Sequence, residues 1–545
     1  MISELGTYQT AVDQAIAKAQ QAQIPARIWM LDHTIWKLQP NEITNRLGWL
    51  HSPSEVLVDI KRLQATADKA YADGYRQAVL LGMGGSSLSP EVFRKTFGVA
   101  DGHLDLHVLD STDPGAVAAL TAKLDPGTAL FIVATKSGGT VETLSFFKHF
   151  YNWISDNLGV EQAGEHFIAI TDPGSRLEKM ADKFAFRETY LNNPYIGGRS
   201  SALSYFGLVP AALVGVDLPK LLARAGKALH ACGPCIPVAE NPAARLGLAL
   251  SELAKTGRDK VTFAISESIQ SYGDWVEQLI AESTGKDGTG ILPVVREPLA
   301  APEAYGNDRV FLHLHLEGDD TCNAALEALH QAGHPVIHIP LQDKYDLGTQ
   351  YFTWVMAIAF AGYGLGIQPF DQPNVESAKV AARKMVAAYT QDGELPAGHQ
   401  IPVDGQKLVE FLEQANPGDY ISLQAYITPT TAAAEKLHVL QTKLRDKYKL
   451  ATTVGFGPRF LHSTGQLHKG DGGNGLFVQI VSKPGQEVPI PDEAGKPASA
   501  ITFGVLKQAQ ALGDAQALKD ADRRLISFET NPNALPAIET LIEAL

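Results

Sequence analysis

The sequence predicts an α/β protein with two doubly wound parallel-sheet subdomains, a short helical segment before them and a C-terminal α/β extension after them. Three observations carry this. Apolar runs of five or six residues recur, each followed by a Gly/Ser-rich loop and then a helical pattern. The alternation restarts near residue 240, as a second unit would. A differently spaced set of strand and helix patterns fills the end of the chain. The implied divisions are 1–52, 53–225, 226–395 and 396–545, with 396–402 as a linker, and a chain of 545 residues has room for about two to four domains.

The elements follow in order. Residues 8–22 and 53–73 read as helices. The first strand–loop–helix unit is 77–82 with a helix at 89–97, then a strand at 105–109. A further strand at 129–134 leads through a polar loop into a helix at 141–157, and a strand at 166–170 into a helix at 173–183. The second unit has helices at 242–256, 275–283 and 324–332 and strands at 261–265, 290–295, 309–316 and 335–339. The extension has strands at 420–426, 451–456 and 476–480 and helices at 431–447 and 501–512. Strands alternating with helices give a parallel sheet covered on both faces, and such sheets bind ligands beyond the carboxyl ends of their strands.

Composition narrows the function. Hydrophobic residues make up 45% and charged residues 19%, as in ordinary globular proteins. The net charge of −14 argues against nucleic acid or an anionic membrane as partner. A small anionic substrate stays open, because it needs only a few local cations and backbone N–H groups. The N-terminus has no basic stretch followed by an apolar run, so no secretory signal is expected. The uncharged stretch 347–370 reads as a buried core helix rather than a membrane span, since it stands alone and ends at Pro369. Three cysteines exclude a disulfide framework and fit a reducing, cytoplasmic compartment. Cys232-Gly-Pro-Cys235 spells a redox motif but follows a helix-like run, so it reads as an interdomain loop.

Several segments have the residues for chemistry. Gly82-Met-Gly-Gly-Ser86-Ser87 and Thr135-Lys136-Ser137-Gly-Gly-Thr140 each follow a strand and open a helix. Such loops offer backbone N–H groups and a helix N-terminus to an anion. The second adds three hydroxyls and an ammonium, a donor set suited to phosphate, with Thr143 one turn on. Neither has the order of a nucleotide P-loop or a dinucleotide fingerprint. Arg199 follows two glycines and is placed to stabilise a developing oxyanion. Glu282 lies in the last turn of a helix that Gly285 is expected to stop, a place that suits a general base. His313 and His315 share one strand face, but no further metal-ligand set is evident.

These segments resemble the glucose-6-phosphate isomerase family, with its two SIS subdomains. The likeness lies in Gly82-x-Gly-Gly-Ser86, Thr135-Lys-Ser-Gly-Gly-Thr140, Gly197-Gly-Arg199, Glu282-Ser-Thr-Gly-Lys286 and Phe370-Asp-Gln372-Pro-Asn-Val-Glu-Ser-Ala-Lys379, in that order. The segments Gly457-Pro-Arg-Phe-Leu-His462-Ser-Thr-Gly-Gln-Leu-His468 and Phe503-Gly-Val-Leu-Lys-Gln resemble the isomerase half of bifunctional transaldolase–isomerases. The chain starts at the isomerase portion, so no transaldolase activity is expected.

The resemblance implies a metal-free, cofactor-free interconversion of glucose 6-phosphate and fructose 6-phosphate through a cis-enediol. It implies that Ser86, Thr135, Lys136, Ser137 and Thr140 hold phosphate, Glu282 moves the proton, and Arg199 stabilises the enediolate. Gln372 and Lys379 would face phosphate and ring oxygen, with Lys379 assisting ring opening. It also implies a homodimer whose site a neighbouring subunit completes. One departure stands out. The family's Gly-Gln-His segment has no counterpart after Glu297-Pro298, where the chain reads Tyr305-Gly-Asn-Asp-Arg309. His468 is the candidate for the missing histidine. Two other readings stay open: an isomerase that also accepts mannose 6-phosphate, and a non-catalytic sugar-phosphate sensor. The sensor would not need Glu282, Arg199 and Lys379 together.

Overall fold

The computed structural model describes residues 2–545; Met1, the first residue of the N-terminal segment, lies outside the described residues. The strands form where the apolar runs are. Ala129–Ala134 is buried throughout and Gln77–Gly82 at all but its first residue, as parallel strands covered on both faces require. The first sheet runs, all parallel, in the order Asp105–Leu109, Gln77–Gly82, Ala129–Ala134, Phe167–Thr171, Glu188–Leu191. Gly82 pairs with Ala134, so the two Gly/Ser loops leave the sheet side by side at its carboxyl edge.

In the second sheet Lys260–Ile265 is flanked by Leu292–Val294 on one side and by Arg309–Leu316 and then Val336–Leu341 on the other. The N-terminal segment differs from the purely helical expectation. It forms helix Gln9–Gln21, but before it strand Ile2–Glu4 adds antiparallel to Val336–Leu341 and closes the edge of this sheet. The helix expected at 53–73 is broken into Ser52–Leu57 and Ile60–Ala72. The apolar stretch forms helix Leu347–Leu365, buried against helices Leu218–Ala231 and Pro242–Lys255. Among the described residues no helix is long and apolar enough to cross a membrane. One continuous cluster of buried side chains runs through both subdomains, which fixes the two carboxyl edges relative to each other.

The C-terminal part has its own parallel sheet, in the order Ile401–Pro402, Arg524–Thr530, Gly475–Ser482, Tyr420–Tyr426, Ala451–Phe456. Its first strand lies in the segment read as a linker. Its helix Phe503–Asp520 packs along helix Val375–Asp392 and reaches the first subdomain, where Phe503 stacks on Phe146 at 5.7 Å. A buried ion pair, Lys507 Nζ to Asp113 Oδ2 at 3.0 Å, joins the same surfaces. Cys232 follows the end of Leu218–Ala231 and is buried, which pushes its thiol up to about 12, against a redox role for Cys232-Gly-Pro-Cys235.

Candidate active site

The polar loop after Ala129–Ala134 leads into a helix start whose N–H groups no side chain caps. Thr140 precedes helix Val141–Leu158 with extended backbone (ψ 118°), and its hydroxyl makes no capping bond. It bonds instead to the Thr135 hydroxyl at 2.8 Å. The first N–H groups of an 18-residue helix are thus left without a side-chain cap, at the positive end of its dipole. Ser137 is exposed in the loop, and its hydroxyl accepts from the Gly139 N–H at 3.2 Å. Lys136 is held back. Its ammonium donates to Asp172 and to the Pro194 carbonyl at 2.7 Å. Burial holds the Asp172 carboxyl above its ordinary value in spite of this lysine.

The glycines of the neighbouring loop serve close packing. A Cβ on Gly85 would lie 1.9 Å from the Gly198 carbonyl oxygen. The glycine is there so that the segment carrying Arg199 can pack directly on the start of helix Gly85–Phe97. Ser86 is buried in that first turn.

Glu282 lies in the last turn of helix Tyr272–Thr284. Arg199, itself buried, sets its Nε 3.5 Å from Glu282 Oε2. The same guanidinium donates to Ser283 Oγ at 3.4 Å, to the carbonyls of Phe370 and Asp371 at 3.3 Å, and to Gln372 Oε1. Burial pulls it below its ordinary value, against the opposing charges of Glu282 and Asp371. Arg199 therefore joins three separate stretches of chain at the proposed base. Lys286 adds a second tie, donating to Asp371 Oδ1 at 2.8 Å; burial, then the Arg199 charge, brings its ammonium down to about 8.

Gly285 does not stop this helix by a left-handed turn, since its φ is −78°. A Cβ there would lie 2.3 Å from Leu467 Cα. The requirement is close approach of the C-terminal domain to the end of the base helix, through helix Gly465–Gly470.

His468 is not in the site. It is buried in the C-terminal domain, 3.4 Å from Ser422 Oγ and 3.3 Å from Gln424 Nε2, with Phe477 packed on it at 5.1 Å. Burial, with Lys469 and Arg523 beside it, holds its imidazole well below the ordinary range, so it stays neutral. The expectation fails because helix Gly465–Gly470 turns this face into the domain's own interior.

His462 lines the neighbouring cavity instead. It shares a cavity of about 420 Å³ with Ser137, Thr140, Lys379 and Glu142. Its Nε2 lies 3.0 Å from Glu142 Oε1, which also accepts from Gln510 Nε2 at 2.7 Å. Burial raises the Glu142 carboxyl, but the His462 charge and hydrogen bond, with Lys379 near, bring it net below its ordinary value. Gln278 Nε2 donates both to the His462 carbonyl at 2.8 Å and to Glu282 Oε2 at 3.1 Å, so the His462 backbone is one side chain from the proposed base. Of the residues expected from the sequence, Ser137, Thr140 and Lys379 line this cavity, and Arg199, Glu282 and Gln372 form the bonded group beside it; Ser86, Thr135 and Lys136 do not line it. Glu142, His462, Gln278 and Gln510 were not expected. Thr143, in the same helix turn as Glu142, has a buried hydroxyl with no partner.

Known proteins resemble this chain in sequence and fold. The Phosphoglucose isomerase family description matches residues 59–295. A glucose-6-phosphate isomerase of Thermus thermophilus is 30% identical over 394 residues, covering 63% of this chain and 90% of the relative. One of Rubrobacter xylanophilus is 30% identical over 362 residues, covering 57% and 83%. The chain belongs to the glucose-6-phosphate isomerase family. A solved structure of a hypothetical protein, also from Thermus thermophilus, superposes with a TM-score of 0.61 at 26% identity, covering 70% of this chain and 98% of that one. A glucose-6-phosphate isomerase from Chlamydia trachomatis shares the fold, with a TM-score of 0.53 at 19% identity over 72% of this chain and 81% of its own. The expected α/β class with SIS-type parallel-sheet subdomains is thus the family's fold. His313 and His315 stack at 4.1 Å on their strand, and among the described residues no group of three or more His, Cys, Asp or Glu is placed to hold a metal.

Proposed function

We propose that this family member interconverts glucose 6-phosphate and fructose 6-phosphate through a cis-enediol, with Glu282 as the proton carrier. Glu282 takes the proton from C2 of the open-chain aldose and returns it to C1. Arg199, bonded around the same carboxylate, stabilises the negative charge on the enediolate oxygens. The phosphate binds at the uncapped start of helix Val141–Leu158, with Ser137 and Thr140 nearest and Thr135, Lys136 and Ser86 supporting the loop. Gln372 is oriented by Arg199.

Ring opening must deliver a proton to the ring oxygen and remove one from the O1 hydroxyl. Lys379 and His462 line the cavity from different elements and are the pair assigned to this step. Glu142 accepts from His462 Nε2, which leaves Nδ1 for the sugar. The observation that carries the reading is the Arg199–Glu282 contact at 3.5 Å beside an uncapped helix N-terminus. The assembly implied by the family is a homodimer, and the compartment is the cytoplasm. The mechanism uses no metal. A coupled assay of fructose 6-phosphate turnover, repeated with EDTA, tests this: turnover unchanged by chelation is expected, and loss of turnover on chelation contradicts it.

A further inference from the structure

Helix Val375–Asp392, which carries Lys379, lies along helix Phe503–Asp520 so closely that a Cβ on Gly513 would meet the Ala382 N at 2.6 Å. From the end of that helix at Asp392 the chain passes within nine residues to strand Ile401–Pro402 of the C-terminal sheet. It enters the C-terminal domain where that domain is already docked, with no long reach to bridge.

The docked surface then delivers one loop to the reaction centre. Arg459 is tied to Glu91 and sits 3.4 Å from Asp110 Oδ2 in the first subdomain. Three residues on, the His462 carbonyl accepts from Gln278 of the base helix, and a Cβ on Gly84 would meet this carbonyl oxygen at 2.8 Å. Beyond it, Gln466 Nε2 donates to the Gly285 carbonyl at 2.9 Å and to Asn374 Oδ1 at 2.7 Å, and its Oε1 accepts from the Asn374 N–H at 2.9 Å. Gln510 Nε2 holds Glu142, and its Oε1 accepts from Thr112 at 2.7 Å. The loop is therefore fixed by hydrogen bonds on both sides of His462, to the first subdomain, the base helix and the segment leading to Lys379.

We propose that the C-terminal domain completes the reaction centre of its own chain, supplying from within what the family draws from a neighbouring subunit, so that each chain is catalytically self-sufficient. This rests on the assignment of His462 to ring opening. Arg459 is a positioning residue in this scheme, acting through the loop it anchors.

Inter-chain complementation decides the matter. Full-length His462→Ala and Glu282→Gln chains, carrying different tags, are co-expressed and purified through both tags in turn, and turnover of cyclic glucose 6-phosphate is measured. If His462 serves its own chain, every site carries one defect. The doubly purified protein then shows no more turnover than the two single variants do. If His462 crossed to a neighbour, one of the two sites in each mixed dimer would carry neither defect. Turnover near half that of the wild type would then appear and overturn the proposal. A His462→Ala chain that alone keeps full turnover overturns the His462 assignment and this inference with it, an outcome separate from complementation.

Discussion

Gly285→Ala tests the coupling of the base helix to the C-terminal domain. The new Cβ would stand 2.3 Å from Leu467 Cα, 2.4 Å from Leu467 Cβ and 2.8 Å from Leu467 Cγ. Ordinary contact begins at 3.4 Å, so the two surfaces must part by about 1 Å. The nearest obstacle is backbone, which no rotamer change can move. Overpacking of this kind costs about 1–3 kcal/mol of stability. Catalysis should suffer more than stability. Glu282 is one turn before Gly285, and Gln278 ties the same helix to the His462 carbonyl. A displacement of about 1 Å at a reacting group costs roughly 10²-fold in rate. The coupled assay should show kcat lower by about that factor with KM nearly unchanged, and thermal unfolding should shift down by a few degrees. Adding Leu467→Ala should not rescue it, because Leu467 Cα and Cβ remain. Wild-type kcat in Gly285→Ala would refute the coupling.

Other consequences follow from single side chains. His462→Ala should slow turnover of the cyclic substrate by about 10²-fold or more, the scale of a lost general acid–base group. His468→Ala should keep its rate and lose thermal stability, since it leaves a cavity inside the C-terminal domain; the opposite pattern would reverse the two assignments. Glu277 has its carboxyl pushed up to about 8 by burial and then by the Asp274 charge, against Arg459 and Arg296. Its neutral form is favoured in the fold, so its contribution is full below the ordinary value of 4.5 and is lost as pH rises to about 8. Glu277→Gln stays neutral, so its melting temperature should fall less than that of the wild type between pH 5 and pH 9; parallel curves would contradict this.

Much of the fold is legible because fully buried parallel strands read as unbroken apolar runs, as at Gln77–Gly82 and Ala129–Ala134. What escapes are elements without that signature. Glu188–Leu191 is a short, partly polar strand, and Ile2–Glu4 is defined only by its partner across the chain. Arg524–Thr530 mixes apolar and polar residues in no regular pattern, unlike its neighbours. In the candidate site, Thr135–Thr140, Arg199 and Glu282 stand out because each sits in a local motif. Glu142 does not, since a carboxylate beside an anion cradle makes sense only once His462, 320 positions away, is placed against it. The choice of His468 over His462 fails for the same reason: six residues apart in sequence, one faces the cavity and the other the interior of the C-terminal domain. Gly285 is legible as the end of a helix, while its real constraint, Leu467, comes from a distant segment.

Proton transfer by Glu282 is the central step of the proposed reaction, and Glu282→Gln in deuterated water tests it most directly. The substitution removes the carboxylate and leaves the shape. The wild type should incorporate solvent deuterium at C2 or C1 while it interconverts the two sugar phosphates, followed by NMR. Glu282→Gln should bind fructose 6-phosphate with similar affinity, turn over at least about 10²-fold more slowly, and incorporate no deuterium above the uncatalysed background. A Glu282→Gln enzyme that exchanges and isomerises near the wild-type rate would contradict it.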